Sequence, residues 1–190
     1  MMKEMRSRPA WFLALAMLSL NGLMANAGRA DPLVSHDPNK VTDLTFGIFC
    51  ASKPDCSTTE KDTISGSISR HDDTPRMLRR TQTIPAIDGL MFGVMLRFQP
   101  PSDTGFLLTV DHPPLGPNRK MHESWKSVWE SNRTTFYTYQ LGLGVGPPAG
   151  TWTISASRGG YHLFSVEFEV VLPTPANLTE LKQCAIKQVS

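Results

Sequence analysis

Charge is scarce in this chain: 19% of its 190 residues are Asp, Glu, Lys or Arg, below the roughly 25% of ordinary globular domains. That argues against a disordered charged tail or a long solvated helix, both of which need dense charge to stay in water. Cysteine is scarcer still, at three, with no CxxC pair, so the ligand spacing of a zinc site is absent. Also missing are G-x-S-x-G, H-E-x-x-H, a P-loop and G-x-G-x-x-G, and with them the usual hydrolase and nucleotide-binding readings. Gly142-Leu143-Gly144-Val145-Gly146 is glycine-rich but runs into Pro147-Pro148, whereas a phosphate cradle opens onto a helix. It reads as a connector. No internal repeat, low-complexity tract or second-domain linker interrupts the sequence.

The apolar residues are concentrated first in a leader. Lys3, Arg6 and Arg8 precede an apolar stretch from Trp11 to Leu20 interrupted by Ser19, and Ala25-Asn26-Ala27 is a small-residue cleavage signal before Gly28. Gly28-Arg29-Ala30 offers a second cut before Asp31. The run from Trp11 to Met24 is 14 residues long, short of the ~20 that span a bilayer. Residues 1–30 are therefore expected to be an export signal cleaved after Ala27 or Ala30, against the alternative of an uncleaved anchor. No cysteine follows the cleavage region, so a lipid anchor is not indicated. Removing Lys3, Arg6, Arg8, Arg29 and Glu4 from 19 Lys+Arg and 17 Asp+Glu leaves 15 and 16, a net charge of −1. The only short basic cluster, Arg76, Arg79 and Arg80, reads as a solvated strand face rather than a nucleic-acid footprint.

Downstream, the dominant period is two. Residues 31–40 carry two prolines and read as an extended leader into a domain spanning 41–172. Leu44, Phe46, Ile48 and Cys50 share one face, and Ile64, Gly66 and Ile68 another. From Leu90 to Phe98 apolar residues occupy both faces, as a sandwich core demands. Phe106, Leu108 and Val110 follow, and the three prolines of Asp111–Pro117 are expected to end that strand by removing ladder donors. Arg119–Ser131 fits a helical stripe as well as a strand; strand is the reading taken, since its neighbours pair only if it joins the sheet. Thr134–Leu141 reads as a strand, and Thr151–Val170 as a hairpin turning at Arg158-Gly159-Gly160. After Pro173, Asn177 is expected to cap a short helix through Lys187, with Leu178, Leu181 and Ala185 as its apolar side. Eight or nine short strands without βαβ alternation predict an all-β fold, an antiparallel immunoglobulin-like β-sandwich with a short C-terminal helix in a 173–190 tail.

Cys50 and Cys56 flank a five-residue loop that a bridge can close in an oxidising compartment, and a Cys50–Cys56 disulfide is expected. Cys184 is left as a free thiol, an intermolecular link or the true partner of one of the others. For chemistry, Asp111, His112, His122 and Glu123 are imaginable as a metal site at adjacent strand ends. His112 and His122 are weak candidates for it; surface or capping roles are the blander reading, and no cofactor is expected. Met91 and Met95 read as core filler, and Glu167 and Glu169 as a solvated strand face. The best recognition surface is the rigid turn of Asp111, His112, Pro113 and Pro114 with Trp125 close behind, although core tryptophans and a strand-stopping proline run would account for the same residues.

Taken in order, Phe92-Gly93-Val94, Asp111-His112-Pro113-Pro114, Gly150-Thr151-Trp152-Thr153-Ile154 and Phe168-Glu169-Val170 resemble an uncharacterised bacterial domain-of-unknown-function family of small exported β-proteins, over roughly residues 41–171. The resemblance implies a bacterial periplasmic setting and brings no catalytic residues with it. The function expected is that of a non-enzymatic binding or protein-interaction module, periplasmic or secreted, for an unknown protein or envelope ligand. No nucleic acid partner and no membrane span in the mature form are expected. The alternative is a small metal-binding or hydrolytic protein using Asp111, His112 and His122. N-terminal sequencing of exported protein is expected to begin at Gly28 or Asp31; a start at Met1 would remove the leader reading.

Overall fold

The computed structural model describes residues 33–51, 54–100, 104–129, 133–142 and 148–185; the leader expected at 1–30 and the expected helix end at Lys187 lie outside them. Two sheets carry the fold. The first runs, in spatial order, β1 (Val34–His36), β12 (Tyr161–Val171), β11 (Gly150–Arg158), β8 (Thr104–Leu115) and β9 (Lys120–Trp129), with β6 (Thr83–Pro85) sharing the outer edge of β12 with β1. The second runs β10 (Thr134–Gln140), β7 (Met91–Phe98), β2 (Val41–Phe49) and β5 (Met77–Arg79). A separate two-stranded ribbon pairs β3 (Cys56–Thr59) with β4 (Ser67–Arg70). The β6–β12 pairing is parallel and the other ladders are antiparallel, so the expected all-β antiparallel sandwich is the observed fold.

Side-chain alternation explains the layers. In β11, Trp152, Ile154 and Ala156 are buried while Thr153 and Ser155 are only partly covered; β12 answers with Phe164, Val166, Phe168 and Val170. Between these strands Gly159 and Gly160, at φ 55° and 84°, make the two-residue turn, a geometry that requires positive φ at both central positions. The facing sheet contributes Phe92, whose ring meets Trp152 at 5.6 Å and Phe168 at 5.1 Å, both edge-on. Such pairs add roughly 0.5–1.5 kcal/mol each beyond the area they bury. On the opposite side of this sheet Met91 is buried with Phe49 and Ala51, and Met77 and Met95 pack against them, the filler role expected for Met91 and Met95.

Several expectations are corrected. β8 does not stop at its prolines but continues through Pro113 and Pro114 to Leu115. Its pairing with β11 ends at Asp111, and its register with β9 shifts between Asp111 and Leu115. The prolines therefore sit in a bulge where no ladder donor is called for. The strand expected around Ile64–Ile68 is shorter, beginning at Ser67 after a turn at Gly66 (φ 71°). Part of the expected leader pairs with β12 as β1. The helix α1 spans Pro175–Ala185 and is capped by Thr174 rather than Asn177: the Asn177 N–H donates to Thr174 Oγ1 at 3.4 Å, with Pro175 in the first-turn position that needs no donor. Leu181 is buried and Leu178 packs on the core, as its apolar stripe implied. The Cys50–Cys56 bridge is not formed, because Cys56 is an exposed free thiol. The Cys50 backbone is bonded to Arg76 beside β5, whereas Cys56 opens the separate ribbon opposite Arg70. The ambiguous 119–131 segment is strand β9, as read.

At one position the sheet has no room for a side chain. A Cβ on Gly93 of β7 would stand 2.1 Å from the Tyr137 carbonyl oxygen of β10. Gly93→Ala is expected to cost more than about 2 kcal/mol in chemical unfolding, whereas Gly105→Ala in β8, where the nearest atom would lie at 3.9 Å, is expected to stay within about 0.5 kcal/mol.

Candidate functional site

β9 and β10 end their respective sheets and face each other across one side of the sandwich, where Ser127 and Tyr137 oxygens lie 3.5 Å apart. The β3–β4 ribbon spans this side and is held at two places. In its connecting turn the Ile64 N–H donates to Glu123 Oε2 at 2.6 Å, and beyond β4 the His71 ring lies 6.3 Å from that of Phe136. The result is a groove of about 680 Å³, with Trp125, Tyr139 and Trp152 among its lining side chains and Arg70, Lys126 and Arg133 at its charged rim.

Beneath the groove lies a buried polar cluster. Glu123 (β9) is 3% exposed and His112 (β8) 4%. Tyr139 of β10 donates its hydroxyl to Glu123 Oε1 at 3.0 Å, and His112 Nε2 lies 3.2 Å from the same oxygen without hydrogen-bond alignment. A carbonyl can only accept, so His112 Nδ1, 2.8 Å from the Pro113 oxygen, carries a proton and Nε2 is left to face the carboxylate. The His112 ring also lies against Trp152 at 4.8 Å. Burial by itself would raise the Glu123 carboxyl, but His112, the Ile64 N–H and the Tyr139 hydroxyl outweigh it and hold the group below its ordinary value. Burial and the Glu123 charge push the Tyr139 hydroxyl far above its usual range, which keeps it a donor. With both oxygens engaged from three elements, Glu123 acts as a clamp rather than as a base.

The residues singled out from sequence do not converge. Asp111 and His122 are opposite one another in the β8–β9 register and pair on the solvent side, His122 Nδ1 to Asp111 Oδ1 at 2.7 Å. His112 and Glu123, each one residue further along its strand, point the other way, into the sandwich. The imagined four-residue metal site is thus divided by the sheet itself, and among the described residues no group of three or more His, Cys, Asp and Glu is placed to hold an ion. Asp111, His112, Pro113 and His122 instead border a shallow outer depression of about 390 Å³, the His112 side chain being buried behind it. Pro114 is exposed, and Trp125 lies half-buried in the groove. Tyr139 and the Ile64 backbone were not anticipated. The available signal was Glu123 itself, which shares a strand face with Trp125 and so places a carboxylate in an apolar stripe.

A family model for a domain of unknown function, DUF3859, matches residues 38–170. The chain belongs to this family. DUF3859 carries no assigned activity in that description, and a search of curated proteins finds no match. Among solved structures, this DUF3859 chain is similar to an immunoglobulin-like protein from Pseudomonas aeruginosa, at 18% identity and a TM-score of 0.47 over 75% of this chain and 100% of that one.

Because the folded-state Glu123 carboxyl is depressed relative to its ordinary 4.5, its stabilisation is present above that value and is lost as pH falls through the folded-state value. Glu123→Gln puts an amide donor against the Ile64 N–H or the Tyr139 hydroxyl, and is expected to cost about 3 kcal/mol at pH 7. Urea titrations should show that difference shrinking as the pH is taken below 4.5; a pH-independent difference would count against the clamp.

Proposed function

We propose that this DUF3859 protein is an exported, non-enzymatic binding module whose partner, a protein or envelope ligand, docks in the groove between β9 and β10. The observation that carries the reading is the groove itself. It is a concavity of about 680 Å³, within the range of ligand sites, with aromatic side chains in its lining and three cationic residues at its rim. A buried network holds it open from beneath, so docking needs little reordering of its walls. Export is supported by the leader features at residues 1–30. Among the described residues no helix is long and apolar enough to cross a membrane. A second docking place is the outer depression at Asp111, Pro113 and His122, which is smaller and more open.

A photo-reactive amino acid at Arg70 or Lys126, both exposed at the groove rim, is expected to give discrete adducts when cells are irradiated. The same group at Leu33, exposed beside β1 at the opposite end of the first sheet from β9, is expected to give none. Equal adducts from all three positions, or none from any, would remove the groove from consideration.

A further inference from the structure

Resting on the binding-module reading, a narrower inference concerns the chemistry of the partner. Sheet edges are normally guarded, by shortness, by lysine, by proline or by bulges, because an exposed ladder recruits other chains. β1, β5 and β6 are three residues each, and β9 carries Lys120 and Lys126. β10 has none of these guards. It is seven residues long, its sequence TTFYTYQ contains neither charge nor proline, and its register with β7 runs without a bulge. Among the described residues, β7 is its one strand partner.

The groove follows that edge. A cavity lying against the face of a strand touches alternate residues, yet every residue from Thr134 to Gln140 lines this one, as do all four residues of β4. Burial along β10 agrees: from Thr135 to Gln140 each residue is half-buried, without the buried and exposed alternation of β11. The space therefore runs lengthwise between strand edges, the shape of a strand rather than of a compact ligand. Its electrostatics select within that class. Arg70, Lys126 and Arg133 are exposed at the rim against the exposed Asp72 and the half-buried Glu60, while the Glu123 charge is engaged from three sides within the cluster.

We propose that the groove takes an extended acidic peptide of another protein, seated as an added strand on the outer edge of β10. Backbone pairing along seven residues sets the length at roughly 23 Å, from about 3.3 Å per residue. Alternate apolar side chains point toward Trp125 and Ile64, and the carboxylates between them meet Arg70 and Lys126. Main-chain bonds supply affinity and the alternate positions supply selectivity.

The test uses the mature chain against a displayed library of random ten-residue peptides. Selected peptides are expected to alternate apolar and acidic residues and to slow amide hydrogen exchange across Thr134–Gln140. Methylating alternate backbone nitrogens of a selected peptide is expected to weaken it about ten-fold or more, as is the double variant Arg70→Glu with Lys126→Glu, its fold checked by circular dichroism. The inference is overturned if no peptide rises above background, if protection falls on another strand, or if binding ignores N-methylation or charge reversal. It is also overturned if β10 protection appears without peptide and grows with protein concentration, which assigns the edge to a second copy of this chain. If Arg70 and Lys126 still cross-link in cells while no peptide binds, the binding module stands and the peptide strand falls; if both fail, both fall.

Discussion

A carboxylate taken out of water must be answered from every side, and Glu123 is answered by three different parts of the chain. His112 comes from the neighbouring strand of its own sheet, Tyr139 from the edge of the opposite sheet, and the Ile64 N–H from the turn of the β3–β4 ribbon. Desolvating a charge costs several kcal/mol unless such partners are in place, so the three elements cannot drift apart without exposing that cost. The separation of β9 from β10, and the seat of the ribbon across them, follow from this one satisfied ion. The groove is the space that remains.

Around that point the sandwich supplies stiffness. Phe92 meets Trp152 and Phe168 edge-on, and Tyr139 belongs both to this aromatic core and to the polar cluster, with its ring 4.8 Å from Trp152. A displacement of the core would therefore be felt in the hydrogen bond to Glu123. Membership of DUF3859 gives a fold without a chemistry, and a fold on its own does not assign function. Binding is supported by particular surfaces: a concave side with cations at its rim, and a seven-residue strand edge without charge, proline or bulge.

Period-two alternation made the β11–β12 hairpin and the two-sided strand β7 legible, because each residue there faces either core or solvent according to parity. The same parity, applied to Asp111 and His112, already forbids both from facing one ion, and the structure divides them accordingly. The prolines of β8 misled for a physical reason: a proline ends a strand only where its missing N–H was needed, and here the ladder is already interrupted by a bulge. Cys50 and Cys56 are close in sequence, but Cys50 follows the end of β2 whereas Cys56 opens the separate β3–β4 ribbon. Thr174 outcompetes Asn177 as a cap because the helix begins where Pro175 fits, three residues earlier than the asparagine implied.

What the sequence determined by itself was local: which residues alternate, where glycines permit a turn, which segments are too short to span a bilayer, and hence a sandwich of short antiparallel strands. Those properties depend on neighbours within a few residues, and they survive whatever the rest of the chain does. Only the tertiary structure decided which edges meet. Glu123, Tyr139 and Ile64 are separated by between 16 and 75 positions, and no local pattern encodes their encounter. It arises when two sheets close over a common core and bring a lone buried charge within reach of the donors that it requires.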